Sequence, residues 1–226
     1  MPFEPAIDPA IWRLRPDFVA LSLAVHNGRN RPSDTRSAAM LEVAAAEGAS
    51  AAGWAEAHLE SWRAAYRGFG AKPQRTPCSA EALRRRIGSL PTVNALVDIY
   101  NSLSLRYAVP IGGEDLAYAG SPRLTVAQGG EPFATTRDGA PTVELVEAGE
   151  VVWRDDEGVT CRRWNWRQSP RTRLEPHSTA MWFVIERLEP MPLEAVAAVG
   201  DALAATVREL APEARIAIRW LRSGDL

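Results

Sequence analysis

SLPTVNALVDIYNSLSLRYAVPIGGEDL, from Ser89 to Leu116, reads as a helix followed by a Pro-Gly-Gly turn. Pro91 and Thr92 make a helix entry, because proline pre-sets φ and lacks only an N–H that a first turn leaves unpaired. Val93, Leu96, Val97, Tyr100, Leu103 and Leu105 supply the apolar side chains for core packing. Asn94, Asp98 and Asn101 interrupt them, and spacings of four and three place all three on one helical face. A carboxylate and two amides among core residues are costly unless hydrogen-bonded, so the stripe faces either a buried structural network or a pocket. In both cases Asp98 is expected to be tied to backbone amides or to an arginine.

Upstream, Phe18 to Val25 alternates bulky and small residues, the pattern of a strand covered on both sides. Ser33 or Asp34 caps a helix that runs to Glu47 and stops at Gly48, and Gly53 precedes a second helix that runs to Tyr66. Its Trp54, His58 and Trp62 lie on one side and read as packing rather than a site. Ser79 caps a short helix to Ile87, around which Arg84, Arg85 and Arg86 point in successive directions, so they read as solvated surface.

Downstream the period changes to two. Leu124 to Gln128, Thr142 to Leu145, Val151 to Arg154, Val159 to Arg167 and Thr179 to Glu186 read as strands, with Asp155-Asp-Glu-Gly158 as a hairpin turn. An amphipathic helix, Leu193 to Leu210, leads into an alternating strand, Arg215 to Leu221. Helices first, a strand-rich middle and a last helix–strand pair predict an α+β fold with a mixed β-sheet, as a single domain over residues 1–226.

A chain of 226 residues can bury a sizeable core. It contains no apolar run long enough to span a membrane, and MPFEPAIDPA lacks the regions of a signal peptide, so a cytoplasmic location and no membrane partner are expected. Cys78 and Cys161 read as free thiols without metal-ligand spacing, and neither a metal nor a cofactor is expected. The formal net charge of −2 gives no global attraction to nucleic acid, so DNA is not expected as a partner and any RNA contact depends on local charge.

The segment from Val159 to Arg167 carries the best such patch. In an extended chain Cys161, Arg163, Asn165 and Arg167 point one way, and Arg162, Trp164 and Trp166 the other. Arginine lying on tryptophan still donates to phosphate or carboxylate, so this strand serves equally as a pocket floor or as an exposed ladder. Arg171 and Arg173 extend the charge, which makes Arg162, Arg167, Arg171 and Arg173 the candidate RNA contacts, although Asp155, Asp156 and Glu157 sit just across the turn. His26, His58 and His177 lie in unrelated contexts, and no GxSxG, HExxH or phosphate loop is present. Hydrolysis of an activated ester needs only a positioned water and a stabilised oxyanion.

Pro91, Asn94, Val97, Asp98, Asn101, Pro110 and Asp115 resemble the B3/B4 domain of the phenylalanyl-tRNA synthetase β subunit, and still more its free-standing relatives. Gly149-Glu150, the Val159 to Arg167 segment, Thr179 and Glu186 continue the resemblance in order, and it is strongest from about residue 89 to 190. It implies a B3/B4-like fold and an editing role in translation fidelity: binding aminoacyl-tRNA and hydrolysing the ester of a mischarged species. A non-catalytic module that binds tRNA, other RNA or an amino acid is the alternative. Two departures stand out. Gly112 takes the place of a pocket histidine, and Trp164-Asn165-Trp166 replaces the Gly-Gly segment of the synthetase site, leaving the glutamate that reads the tyrosine hydroxyl without a clear counterpart. The expected pocket joins Asn94, Asp98, Asn101, Gly112, Gly113 and Arg163 as substrate-binding residues, with Asn165 positioning the water or the carbonyl.

Overall fold

A computed structural model describes residues 3–48 and 52–224. In chain order its elements are β1 (Ala6–Ile7), α1 (Pro9–Leu14), β2 (Val19–His26), α2 (Thr35–Glu47), α3 (Ala55–Gly68), α4 (Ser79–Arg84) and α5 (Ala95–Tyr107). There follow β3 (Ile111–Asp115), β4 (Arg123–Val126), β5 (Pro132–Arg137), β6 (Ala140–Leu145), β7 (Val151–Arg154), β8 (Val159–Arg162) and β9 (Arg167–Gln168). A short 3₁₀ turn at Pro170–Thr172, then β10 (Met181–Arg187), α6 (Leu193–Leu210) and β11 (Arg215–Leu221) complete the chain. The α+β class with mixed sheets is as the pattern predicts.

The middle layer is the antiparallel sheet β11-β2-β10-β3, with Phe183 opposite both Leu23 and Gly113. Alternation sorts its side chains between two cores. Leu21, Leu23, Val25, Phe183 and Ile185 join Leu96, Val199 and Leu203 in a core shared with α5 and α6. On that side the helix comes close, because a Cβ on Gly200 would stand 2.4 Å from Leu21. Ala20, Trp182 and Val184 on the opposite face join Trp62 and Tyr66 of α3 and Trp153 of β7. There β2 presents small residues, and the Ser22 hydroxyl accepts the Trp182 indole N–H at 2.9 Å. The second sheet, β1-β4-β7-β8-β9, lies over this face, parallel only at β1-β4, and β5-β6 is a separate hairpin. Among the described residues no helix is long and apolar enough to cross a membrane.

Several boundaries differ from the sequence reading. Helix α5 starts at Ala95, four residues after Pro91, because Asn94 is its N-cap and accepts the Val97 N–H at 3.1 Å. Cys78 rather than Ser79 is the N-cap residue of α4. Gly112 and Gly113 belong to a paired strand, not a turn. A Cβ on Gly113 would meet Leu174, Tyr100 and Phe183 at 2.9 to 3.2 Å, so its bareness lets β3 fit beneath α5. The segment from Val159 to Arg167 is not one strand either. Arg163 and Trp164 adopt φ of 47° and 66°, which ends β8 and folds the chain back into β9.

Candidate active site

A cavity of about 260 Å³ opens between the two larger sheets. Trp153, Trp164, Trp166 and Trp182 wall it, and Gly112 and Val184, paired across β3 and β10, lie between its two acids, Glu114 and Glu186. The acids arrive there by strand alternation. Trp182, Val184 and Glu186 share one face of β10, and Gly112 and Glu114 share the matching face of β3. The exposed Arg86 marks the rim, beside Ser79 and Asn101.

Glu186 is 1% exposed and fully engaged: Trp153 Nε1 donates to one carboxyl oxygen and Asn165 Nδ2 to the other, both at 2.9 Å. Asn165 is held from behind, since the Tyr66 hydroxyl donates to its Oδ1 at 2.9 Å. Burial pushes Glu186 up to about 7 against the opposing pull of the Trp153 and Asn165 donors. Glu114 differs in having a free end. It is 4% exposed, and its Oε2 has no hydrogen-bond partner, as is true of the Ser79 hydroxyl nearby. Burial pushes Glu114 up to about 7 as well, against the pull of the neighbouring Thr160 hydroxyl, which lies outside hydrogen-bond geometry, and the charge of Asp155 works in the same direction as burial. Cys161 also borders the cavity, but desolvation holds its thiol well above the ordinary range and keeps it protonated at neutral pH.

Of the residues expected to form the pocket, Asn101, Gly112, Gly113 and Asn165 line this cavity. Asn94 and Asp98 do not. Asn94 is spent on the cap, on Asn30 Nδ2 at 2.9 Å and on the Leu174 carbonyl at 3.0 Å. Asp98 accepts the Val93 N–H at 2.8 Å and the Ser37 hydroxyl at 3.0 Å, so the backbone tie is there and no arginine is involved. The polar stripe therefore divides: Asn94 is spent on the Asn30 loop and Leu174, Asp98 ties to α2 through Ser37, and only Asn101 reaches the cavity. Arg163 turns the other way, its guanidinium over Trp166 at 4.5 Å, and lines a second cavity.

The expected phosphate patch is partly closed by acids. Arg162 forks onto Glu150 at 2.9 and 2.8 Å and reaches Glu144 at 2.8 Å. Arg171 holds Asp155 at 2.7 Å and Glu157 at 3.2 Å, and Arg173 holds Glu175 at 2.6 Å. Arg167 donates weakly to the Thr136 carbonyl at 3.4 Å. Arg162 and Arg171 therefore have little left for phosphate, whereas Arg167, which holds no acid among the described residues, and Arg173, whose pair with Glu175 is exposed, keep their capacity for it. His58 is a core residue. Its Nδ1 lies 2.9 Å from the Ala108 carbonyl and its Nε2 accepts from Trp62 Nε1, and burial lowers it to about 4.

Glu114 and Glu186 are the site residues that the sequence reading missed as chemistry. The available signal for Glu186 was an acid in phase with Trp182 and Val184 inside an otherwise apolar strand. Among the described residues no group of three or more histidine, cysteine and acidic side chains forms a metal cluster.

A family model described as the B3/4 domain matches residues 61–204. Among solved structures, the chain is similar to an N-terminal fragment of the phenylalanyl-tRNA synthetase β-subunit from Pyrococcus horikoshii. The TM-score is 0.52 at 12% identity, over 94% of this chain and 50% of that one, so the chain spans about half the length of that fragment. No curated protein matches.

Proposed function

The chain belongs to the B3/4 domain family, and from that premise we propose that it binds aminoacyl-tRNA and hydrolyses the ester of a mischarged species. The observation that carries this reading is the buried, unpartnered carboxyl oxygen of Glu114 in the lining of an aromatic-walled cavity. A carboxyl titrating at about 7 is half ionised at neutral pH, the state in which a general base is most useful. Glu114 takes a proton from a water as its oxygen attacks the ester carbonyl. The new C–O bond displaces the ribose oxygen, which receives that proton, releasing a free amino acid and intact tRNA. The tryptophan walls hold the amino-acid side chain and exclude other water, Asn101 meets the substrate near the rim, and Gly112 leaves room over the floor. Asn165, committed to Tyr66 and Glu186, is a positioning residue: it fixes Glu186 on the far wall, where that carboxyl bounds the acyl pocket. A cytoplasmic location accords with this reading.

The test is a deacylation screen over a panel of mischarged tRNAs. At least one ester is expected to decay well above its spontaneous rate, and Glu114→Gln is expected to slow that decay by about 10²-fold or more while binding persists. A second reading, a binding module without chemistry, is favoured by the complete internal engagement of Asn165 and Glu186. Protein that binds charged tRNA yet leaves every ester at its spontaneous rate selects that reading.

A further inference from the structure

The second cavity, of about 270 Å³, is different in kind. Lys72, Arg75 and Arg163 converge on it, together with Phe69 and Thr76. Lys72 is the only lysine of the chain. Where most arginines of this protein hold an acid, neither Lys72 nor Arg75 has an ion pair or a side-chain hydrogen bond among the described residues. Arg163 stands 3.7 Å from Glu150, but both oxygens of that carboxylate are already taken by Arg162. Glu147 is the other acid on the wall, and it is exposed. Positive charge is therefore in excess in a concave, polar setting, which is the requirement for binding an anion.

The partition between the two cavities is one aromatic layer. Arg163 of the second lies over Trp166 of the first, and Phe69 of the second packs against Trp164 of the first at 6.3 Å. Stacking surfaces next to unpaired cations are how proteins hold single-stranded nucleic acid without reading its sequence. We propose that Lys72, Arg75 and Arg163 form a phosphodiester site for the single-stranded 3′ end of an RNA whose terminal acyl group occupies the first cavity. This rests on the aminoacyl-tRNA reading for the identity of the RNA, not for the anion site itself. The chain end passes from the acyl cavity over the Trp166–Arg163 step, and its phosphates lie against Lys72 and Arg75.

A lone lysine makes the test direct. The probe is a short, unacylated single-stranded RNA ending in a 3′ adenosine, and the readout is labelling of Lys72 by an amine-reactive ester, with the N-terminal amine as internal reference. Bound RNA is expected to protect Lys72 several-fold relative to the N-terminus. Lys72→Ala/Arg75→Ala, two exposed positions, is expected to flatten the log-log salt slope of binding by about 1.4 units, at roughly 0.7 for each lost single-strand contact. Lys72 labelled equally fast with RNA bound, or an unchanged slope in the double variant, overturns the site. Protection by inorganic phosphate alone, without protection by RNA, overturns the assignment to RNA. The probe carries no ester, so protection without turnover of any charged tRNA sinks the hydrolysis and leaves the site. Undiminished turnover of charged tRNA by the double variant does the reverse.

Discussion

Arg162 is 7% exposed and holds Glu150 with a two-pronged fork while its remaining nitrogen reaches Glu144. Removing such a guanidinium leaves the buried Glu150 carboxylate with only the Arg163 backbone N–H at 3.1 Å and the Arg163 guanidinium at 3.7 Å, and Arg162→Ala is expected to destabilise the fold by about 3 kcal/mol, as measured by urea unfolding. A loss under about 1 kcal/mol, the scale of surface pairs, would place Arg162 on the solvated face that its sequence context implies. That context misled because the charges that close Arg162 lie 12 and 18 residues away, Glu150 just before β7 and Glu144 on β6 of the separate hairpin. Asn165 poses the same difficulty. Its identity marked it as a residue able to orient a group, but the groups it orients, Glu186 and Tyr66, are 21 and 99 residues distant. Residue type was legible at both positions. The partner was not, since contacts between separate sheets, loops and helices are fixed by topology rather than by local sequence.

Helix α5 shows what an element can and cannot declare. Its apolar face and polar stripe were readable from spacing, and Asp98 is fully buried as the argument from cost requires. Asp98 ties α5 to α2 through Ser37, a residue that also forms the capping box with Asp34. Asp98→Ala therefore strands the Val93 N–H and loosens the start of both helices, and is expected to cost roughly 1–3 kcal/mol in thermal or urea unfolding. Ser37→Ala should reproduce part of that loss, and the double variant should lose less than the sum, because the two side chains share one bond. Strict additivity would mean that the two act separately. Strand β3 was hidden because two glycines in succession imitate a turn, and with it went Glu114, the acid whose buried carboxyl lines the cavity. Strand β5 was missed for a related reason: it opens on Pro132, and only Phe133 and Thr135 are buried along it. By contrast β7, α6 and β11 match their predicted spans, since each is a clean period bounded by proline, glycine or acidic turn residues.

At the scale of the molecule, three buried groups set the response to pH. Glu114 and Glu186 are raised from an ordinary 4.5 to about 7, so between those values the folded protein keeps protons that the unfolded chain has released. Their contribution is full below pH 4.5 and is lost as pH rises through about 7. His58 works in the other direction: lowered from 6.5 to about 4, it contributes above 6.5 and is lost as pH falls towards 4. Two groups outweigh one, and stability is expected to fall by on the order of 1 kcal/mol per pH unit as pH rises from about 5 to 7, and to level off above, once both carboxyls are ionised in the folded protein too. Urea titrations at a series of pH values measure this directly. In Glu114→Gln/Glu186→Gln the trend should reverse, leaving only the rise due to His58, and a wild-type protein that grows steadily more stable from pH 5 to 7 would contradict the assignment. The α+β class was legible because periods of 3.6 and 2 occupy different parts of the chain, whereas the division into two large sheets and a hairpin depends on strand order, which no period encodes. The cavity inherits a further property from that arrangement. Four of the eight tryptophans of the chain stand around one small space beside two carboxyls that change charge near neutrality. Whatever enters that space, a proton included, alters the surroundings of half the indole fluorophores at once, so the protein carries its own optical gauge of occupancy and needs no attached dye to report it.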